Sequence, residues 1–250
     1  MKFVTISDVH IREPGDKQEA FFLSFLSSEE TIQSDTIFLL GDIFDLVVGS
    51  HIEFQKRFER IFDRLIELVN MGKTIYQFEG NHDFHFKDLI ENINSKDCQV
   101  GTWSYINEPI VFDFNNTKIL FAHGDELEKE DKSYVKYRKF IRSRFINLLA
   151  NHVVPYFAIE KIGLFFANRS RKRNVKDYGN HYDNEGVKLA FRNKLKDVYE
   201  EYGVSVIICG HSHCIDEWNY GEFVYFNNGF FPKTKTFIYF DGSQVRLQQL

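Results

Sequence analysis

Short apolar runs alternate along the chain with longer segments in which apolar residues recur every three or four positions. The short runs predict β-strands, and they cover residues 2–7, 36–40, 73–78, 118–123, 204–210, 223–228 and 235–240. The last two runs are candidates for antiparallel strands. The longer segments predict helices at residues 54–69, before Gly72, and at residues 187–198, before Gly203. This alternation is typical of an α/β protein with layered sheets.

Five of the predicted strands end in a cluster of polar residues. The clusters are Asp8-Val9-His10, Gly41-Asp42 with Asp45, Gly80-Asn81-His82-Asp83, His123-Gly124-Asp125 and Gly210-His211-Ser212-His213. One such cluster alone is typical of a turn. In open α/β sheets, however, the carboxyl ends of strands and the loops after them form binding sites. The five clusters together therefore predict one shared site.

The side chains in these clusters are carboxylates, imidazoles and one amide, and no thiolate is needed. Such nitrogen and oxygen donors favour Mn, Fe or Zn over a calcium cage or a zinc–sulfur site. The donors suffice for two ions that share one carboxylate. Two ions about 3.5–4 Å apart are the arrangement that activates water and binds phosphoryl oxygens. The predicted cofactor is thus a pair of divalent ions, with Mn²⁺ favoured over Fe and Zn.

The motifs D-x-H, GDxxD, GNHD, a histidine before Gly-Asp, and GHxH stand here in the order that resembles the calcineurin-like metallophosphoesterases. The resemblance covers most of the chain and implies a layered β-sandwich flanked by helices, with a binuclear metal site. It assigns one ion to Asp8, His10, Asp42 and His213. It assigns the second ion to Asp42, Asn81, His123 and His211, so that Asp42 bridges the two.

The GNHD motif also carries the predicted catalytic residues. By the same resemblance, His82 acts near the phosphate and its leaving group, and Asp83 orients the His82 imidazole. A second interpretation makes Asp83 the N-cap of a helix that begins near residue 86. His85 and Asp45 are interpreted as structural residues.

An insertion at residues 126–180 interrupts a chain that is otherwise predicted to be a single domain over residues 1–250. Between residues 132 and 176 it holds twelve Lys and Arg and one acidic residue, although the whole chain has a net charge of -5. Apolar residues from Tyr134 to His152 follow helical spacing, Pro155 breaks the run, and residues 157–166 predict a second helix. The hairpin is either a cap with a solvated basic face or a lid for an anionic, acylated substrate at a membrane surface.

The insertion resembles that of the UDP-2,3-diacylglucosamine diphosphatases of lipid A biosynthesis, which belong to the same superfamily. The shared pattern is HGD-x-L followed by D-x-x-Y-x-x-[FY]-R, present here from His123 to Arg138. The resemblance implies hydrolysis of UDP-2,3-diacylglucosamine to UMP and 2,3-diacylglucosamine 1-phosphate. The substrate-binding residues that it implies are Asn81, Asp131, Tyr134, Arg138, Arg169, Ser170, Asn174 and Lys176.

Three positions depart from the pattern of these diphosphatases: His82 stands where many have Arg, GHSHCID replaces GHTHRP, and Asn228-Gly229-Phe230 replaces a late Gly-Asp-Trp. These departures leave open another metal-dependent phosphodiesterase or nucleotide pyrophosphatase with a different lipid-linked or nucleotide substrate. A non-catalytic scaffold is a further alternative, which the complete ligand blocks disfavour. Nucleic acid is not the expected partner, because the basic stretches lack interleaved aromatic residues.

Composition bears on the compartment and on the apolar surface. Three cysteines without a CxxC pair indicate a reducing compartment. Neither a signal-peptide pattern nor an apolar run of about 18 residues is visible in the sequence. The predicted location is the cytoplasm, with peripheral attachment to the inner membrane through its anionic surface. The 27 Phe either form an apolar-rich core or serve a lipid substrate.

Overall fold

The computed structural model describes residues 1–114, 116–127, 132–163 and 181–250. The described strands are β1 (Phe3–Ile6), β2 (Thr36–Leu39), β3 (Val47–Val48), β4 (Thr74–Phe78), β5 (Asp83–Phe84), β6 (Thr102–Ile106), β7 (Ile110–Phe114), β8 (Thr117–Ala122), β9 (Val206–Cys209), β10 (Ile215–Asn219), β11 (Val224–Asn228), β12 (Thr236–Phe240) and β13 (Val245–Gln249). The described helices are α1 (Lys17–Leu26), α2 (Glu29–Gln33), α3 (Ile52–Arg57), α4 (Glu59–Asn70), α5 (Lys87–Asp97), α6 (Lys132–Ile141), α7 (Arg144–Leu148), α8 (156–163), α9 (Glu185–Tyr202) and α10 (Phe231–Thr234).

These strands form two larger sheets. The first has the order β13-β12-β1-β2-β4-β6, in which β1, β2, β4 and β6 run parallel and β12 pairs antiparallel with β1. The second has the order β10-β11-β9-β8-β7, with β8, β9 and β11 parallel. Each of the two late strands has an antiparallel neighbour: β11 pairs antiparallel with β10, and β12 with β1. Because the central strands of each sheet are parallel, the C-terminal ends of β1, β2 and β4 lie at one edge of the first sheet, and those of β8 and β9 at one edge of the second.

Phenylalanine side chains fill the space between the two sheets. Phe38 of the first sheet stacks on Phe121 of the second, with ring centroids 3.9 Å apart, and Phe3 packs edge-on against the same ring at 5.3 Å. Stacked and edge-to-face ring pairs add to the free energy of burial. Most of the 27 Phe are buried in the described residues. The core therefore accounts for most of the phenylalanine content.

Helices cover the outer faces of both sheets. Apolar residues of α1, α4 and α5 pack on the first sheet, and Phe191, Leu195 and Val198 of α9 pack on the second. The predicted helix at 54–69 is two helices, because the chain breaks at Phe58 (φ -106°, ψ 34°). Helix α9 ends before Gly203, whose φ of 59° lies in the left-handed region that glycine adopts freely. The result is the helix-flanked sandwich that was predicted.

The described part of the insertion is helical and rests on the core. Ser143 ends the run that was predicted as one helix and caps α7 through Ile146 N–H. Ala150 and Ile159 join the core cluster beside the first sheet. His85 fixes the segment further, since its Nε2–H donates to the Ile141 carbonyl over 2.8 Å and its Nδ1 accepts from the Asn147 amide. No helix within the described ranges combines the length and apolar character needed to cross a bilayer.

Candidate metal centre

The loops that follow the parallel strands share an unusual backbone conformation. Five of the predicted metal ligands have a positive φ between 53° and 66°: Asp8, His10, Asp42, His211 and His213. The left-handed region costs an L-residue free energy, although Asp, Asn and His tolerate it best. Such conformations persist where the surrounding fold enforces them, and they concentrate at functional sites. These loops therefore turn their side chains sharply inward.

Two glycines allow the loops to approach closely. A Cβ on Gly41 (φ 81°) would lie 2.7 Å from the backbone of Gly80, and a Cβ on Gly80 would lie 2.1 Å from Asp42 Oδ1. Either contact is shorter than a Cβ allows. The GDxxD and GNHD motifs thus need glycine so that their loops can touch.

The predicted ligands of the first ion converge in space. His10 Nε2 lies 3.2 Å from His213 Nε2 and 3.6 Å from Asp42 Oδ2. His213 Nε2 lies 3.2 Å from Asp8 Oδ1. One potential ligand atom from each of these four residues lies within 4.8 Å of all the others. Atoms bound to one ion at about 2.1 Å are separated by about 3–4 Å, so the four side chains fit a divalent ion.

The predicted ligands of the second ion lie beside the first group. Asp42 Oδ2, already 3.6 Å from His10, is also 3.7 Å from His123 Nε2. His123 Nε2 lies 3.3 Å from Asn81 Oδ1, and the His123 and His211 ring centroids are 5.3 Å apart. His123 Nδ1 contacts the Leu40 carbonyl at 2.7 Å, which leaves Nε2 for a ligand. Asp42 stands between the two groups, as expected of a bridging carboxylate.

The electrostatics of the centre favour cations. Burial lowers the pKa of His123, but the Asp42, Asp125 and Asp8 carboxylates outweigh it and raise that pKa to about 9. Burial raises the pKa of Asp8, yet the hydrogen bond and charge of His213 hold it below its ordinary value. Carboxylates that stabilise a proton on an imidazole also stabilise a metal ion in its place. The buried charges of the centre are thus suited to divalent cations.

Asp83 does not orient His82. Its fully buried carboxylate accepts hydrogen bonds from the backbone N–H groups of Asp42 (2.8 Å), Ile43 (2.8 Å), Phe44 (3.2 Å) and Gly80 (3.0 Å). The N-cap interpretation also fails, since α5 begins after Phe86 without a side-chain cap. Asp83 instead fixes the loop that carries Asp42, because the loop amides have no regular ladder to join.

Asp45 lies where Asp83 was expected. Its Oδ1 is 3.9 Å from His82 Nδ1 and 3.6 Å from His10 Nδ1, and its carbonyl contacts His82 Nδ1 at 3.1 Å. A carboxylate behind a ligating imidazole holds the ring in position and raises its basicity. Asp45 is thus a site residue.

Phe230 is a further residue of the site that no sequence motif indicated. Its ring packs against His213 at 5.2 Å and stacks on Tyr182 at 5.1 Å.

Two of the predicted substrate-binding residues of the insertion lie beside the metal centre. The Tyr134 ring lies 5.6 Å from the His211 ring, and its hydroxyl is 3.4 Å from Asp125 Oδ2. Arg138 Nη1 donates to the Asp125 carbonyl over 2.5 Å. The remaining ones lie outside the described residues: Asp131, Arg169, Ser170, Asn174 and Lys176.

Comparisons with known proteins agree with this geometry. The family model described as calcineurin-like phosphoesterase matches residues 1–215. Proteins named UDP-2,3-diacylglucosamine hydrolase are similar to this chain: that of Proteus mirabilis is 26% identical over 83% of this chain and 80% of its own, and that of Photobacterium profundum is 28% identical over 85% and 80%.

The fold also occurs in a solved structure. An archaeal phosphodiesterase superposes with a TM-score of 0.51 at 14% identity and covers 100% of both chains. At that identity the likeness concerns the fold alone. The family model, which matches residues 1–215, shows that this metal-dependent hydrolase belongs to the calcineurin-like phosphoesterase family.

Proposed function

We propose that the protein hydrolyses the pyrophosphate bond of UDP-2,3-diacylglucosamine and releases UMP and 2,3-diacylglucosamine 1-phosphate. The observation that carries the proposal is the position of the insertion, whose Tyr134 lies over His211 at the edge of the predicted second-ion group. The relatives that bear this substrate in their name support it, since this chain covers about four fifths of their length. We propose Mn²⁺ as the metal, with Fe and Zn as the alternatives.

Two divalent ions in the centre would supply acidity to a water molecule and offset charge on phosphoryl oxygens. The side chains around the centre would position the substrate and contact its phosphate and leaving group. His82 is held through Nδ1 by the Asp45 carbonyl, and its side chain is 22% exposed. Because that hydrogen bond uses the Nδ1–H, Nε2 is the nitrogen that remains for a phosphate oxygen or the leaving group, and it would donate to them when the ring carries both protons. Tyr134 is held by Asp125 at the side of the second-ion ligands.

The insertion also supports a membrane partner. In its described part, Phe140, Phe145 and Phe157 are 59–63% exposed, and the exposed basic residues Lys136 and Arg144 are close in sequence to Phe140 and Phe145. Exposed rings beside lysine and arginine suit the boundary between anionic head groups and acyl chains. We therefore propose that this face docks peripherally on an anionic membrane surface, from which a lipid-linked nucleotide reaches the metal centre.

The substrate proposal predicts that purified protein loaded with Mn²⁺ releases UMP from UDP-2,3-diacylglucosamine in detergent micelles. The release should stop with a chelator and return with added Mn²⁺, because the centre must bind cations to act. UMP is measured by chromatography, with bis(p-nitrophenyl) phosphate and a UDP-sugar without acyl chains as comparison substrates. Cleavage of either comparison substrate with the lipid substrate intact would favour a different phosphodiesterase or nucleotide pyrophosphatase.

The membrane proposal predicts that Phe145→Glu combined with Phe157→Glu reduces flotation on vesicles that contain anionic phospholipid. Burying one Phe contributes about 1.5–3 kcal/mol, so binding should weaken roughly tenfold or more for each residue lost. Val111→Glu on β7 is the control, because Val111 is exposed outside the insertion. Equal flotation of the double variant and the control would contradict the proposal, as would binding that ignores the anionic lipid.

A further inference from the structure

Arg142, which lies between α6 and α7 in the insertion, reaches two loops of the metal centre. Its Nη2 lies 2.9 Å from Asp125 Oδ1, and its Nη1 lies 3.4 Å from Glu126 Oε1. The same guanidinium contacts the Glu79 carbonyl at 3.4 Å and the Glu79 carboxylate at 3.8 Å. Only 14% of the side chain is exposed. One arginine thus faces three acidic residues that the core presents.

These three acidic residues lie close in sequence to predicted ligands of the second ion. Asp125 and Glu126 follow the predicted second-ion ligand His123 by two and three residues, and Glu79 precedes the predicted ligand Asn81 by two. The ligand atoms of the two loops, His123 Nε2 and Asn81 Oδ1, are 3.3 Å apart. Asp125 is fully buried and Glu79 nearly so. Without a cation between them, their charges would repel and drive the loops apart.

We propose that Arg142 is a positioning residue for the second metal ion, and that it couples the seating of the insertion to the affinity for that ion. It holds the loop of Asn81 and the loop of His123 at the separation that the shared ion requires. In the described part of the chain, the hydrogen bonds and ion pairs of the Arg142 guanidinium go to Asp125, Glu126 and Glu79. None of them goes to the first-ion ligands Asp8, His10 and His213, so their ion should be bound independently of Arg142. The inference concerns metal binding and does not depend on which phosphoester is cleaved.

The decisive test is a Mn²⁺ titration of chelator-treated full-length protein, followed by electron paramagnetic resonance. A second ion near the first gives a spin-coupled spectrum that a single ion lacks. Arg142→Met should bind the first ion as wild type does and the second about 10–100-fold more weakly, the range for loss of a group that orients metal ligands. Arg142→Lys should recover part of that affinity because it keeps the charge.

Arg144→Met is the matched control, because it makes the same change at an exposed position two residues away. Unchanged binding of both ions in Arg142→Met would overturn the proposal. So would an equal loss of both ions, since that result describes general unfolding.

Coupling is reciprocal, so the metal must also act on the insertion. Saturating Mn²⁺ should slow amide hydrogen exchange at residues 138–147 in wild type and in Arg144→Met. This measurement needs no variant that alters Arg142, so it decides the matter even if Arg142→Met does not fold. Exchange at residues 138–147 that is the same with and without Mn²⁺ in wild type would refute the coupling.

Discussion

Replacing Asp42 with alanine is expected to reduce kcat/KM for phosphoester hydrolysis roughly 10³-fold or more. Asp42 Oδ2 lies within 3.7 Å of both His10 Nε2 and His123 Nε2, so its loss removes a ligand from both predicted ion sites. A bound ion contributes several kcal/mol to transition-state stabilisation, and each 1.4 kcal/mol is a tenfold change in rate. The measurement is initial rate with Mn²⁺ in excess, alongside metal content by mass spectrometry.

Two further variants make the Asp42 result specific. Asp42→Asn keeps the size and one oxygen, and should retain more metal than the alanine variant. Asp113→Ala removes an exposed carboxylate on β7 and should behave as wild type. If Asp42→Ala kept its activity within tenfold of wild type, a bridging role for Asp42 would be untenable.

Replacing Asp83 with alanine is expected to destabilise the fold by about 3–5 kcal/mol, because up to four buried backbone N–H groups lose their hydrogen-bond acceptor. At this chain length, each kcal/mol lowers the midpoint of thermal unfolding by about 2–4 °C, so the midpoint should fall by about 6–20 °C. Calorimetry of the metal-free protein isolates this effect from ion binding. Activity should also fall, because the Asp42 loop is no longer held.

The adjacent residue supplies the comparison. The His82 side chain is 22% exposed, and within the described residues its imidazole hydrogen-bonds to the Asp45 carbonyl. His82→Ala should therefore change stability by no more than about 0.5 kcal/mol while kcat falls about 10²-fold or more. If the two variants showed the same stability and the same rate loss, Asp83 would belong to the catalytic group after all.

The sequence located the central strands well because each is a short, continuous apolar run. The strands β1, β2 and β9 are fully buried and most of β4 and β8 is at least partly buried, so few exposed polar positions interrupt their apolar runs. β6 and β13 were missed, because half-exposed edge strands such as Thr102–Ile106 and Val245–Gln249 mix polar residues into the pattern. Edge strands are stabilised by one neighbour and one packed face, and a single sequence shows this only weakly.

The candidate site was also predicted only in part. Residues that must end a strand and offer a nitrogen or oxygen were recognisable from their type and place, and seven of them converge as the motifs predicted. The supporting residues were not recognisable. Whether Asp83 or Asp45 stands behind His82 depends on which way two adjacent loops turn, and Arg142 meets Glu79 only after a long insertion folds back. Such contacts depend on tertiary packing and leave no periodic signal.

Five predicted ligands have a left-handed backbone conformation, which is present in the folded chain before any ion binds. This conformation lowers the free energy of unfolding. At roughly 1 kcal/mol for each residue, the total is about 5 kcal/mol, comparable with the net stability of a whole domain. Ions that bind only the folded form would return that free energy in proportion to the logarithm of their concentration. The folded fraction of newly synthesised chains would thus depend on the metal supply of the cell, and starvation for metal would reduce the amount of protein as well as its activity.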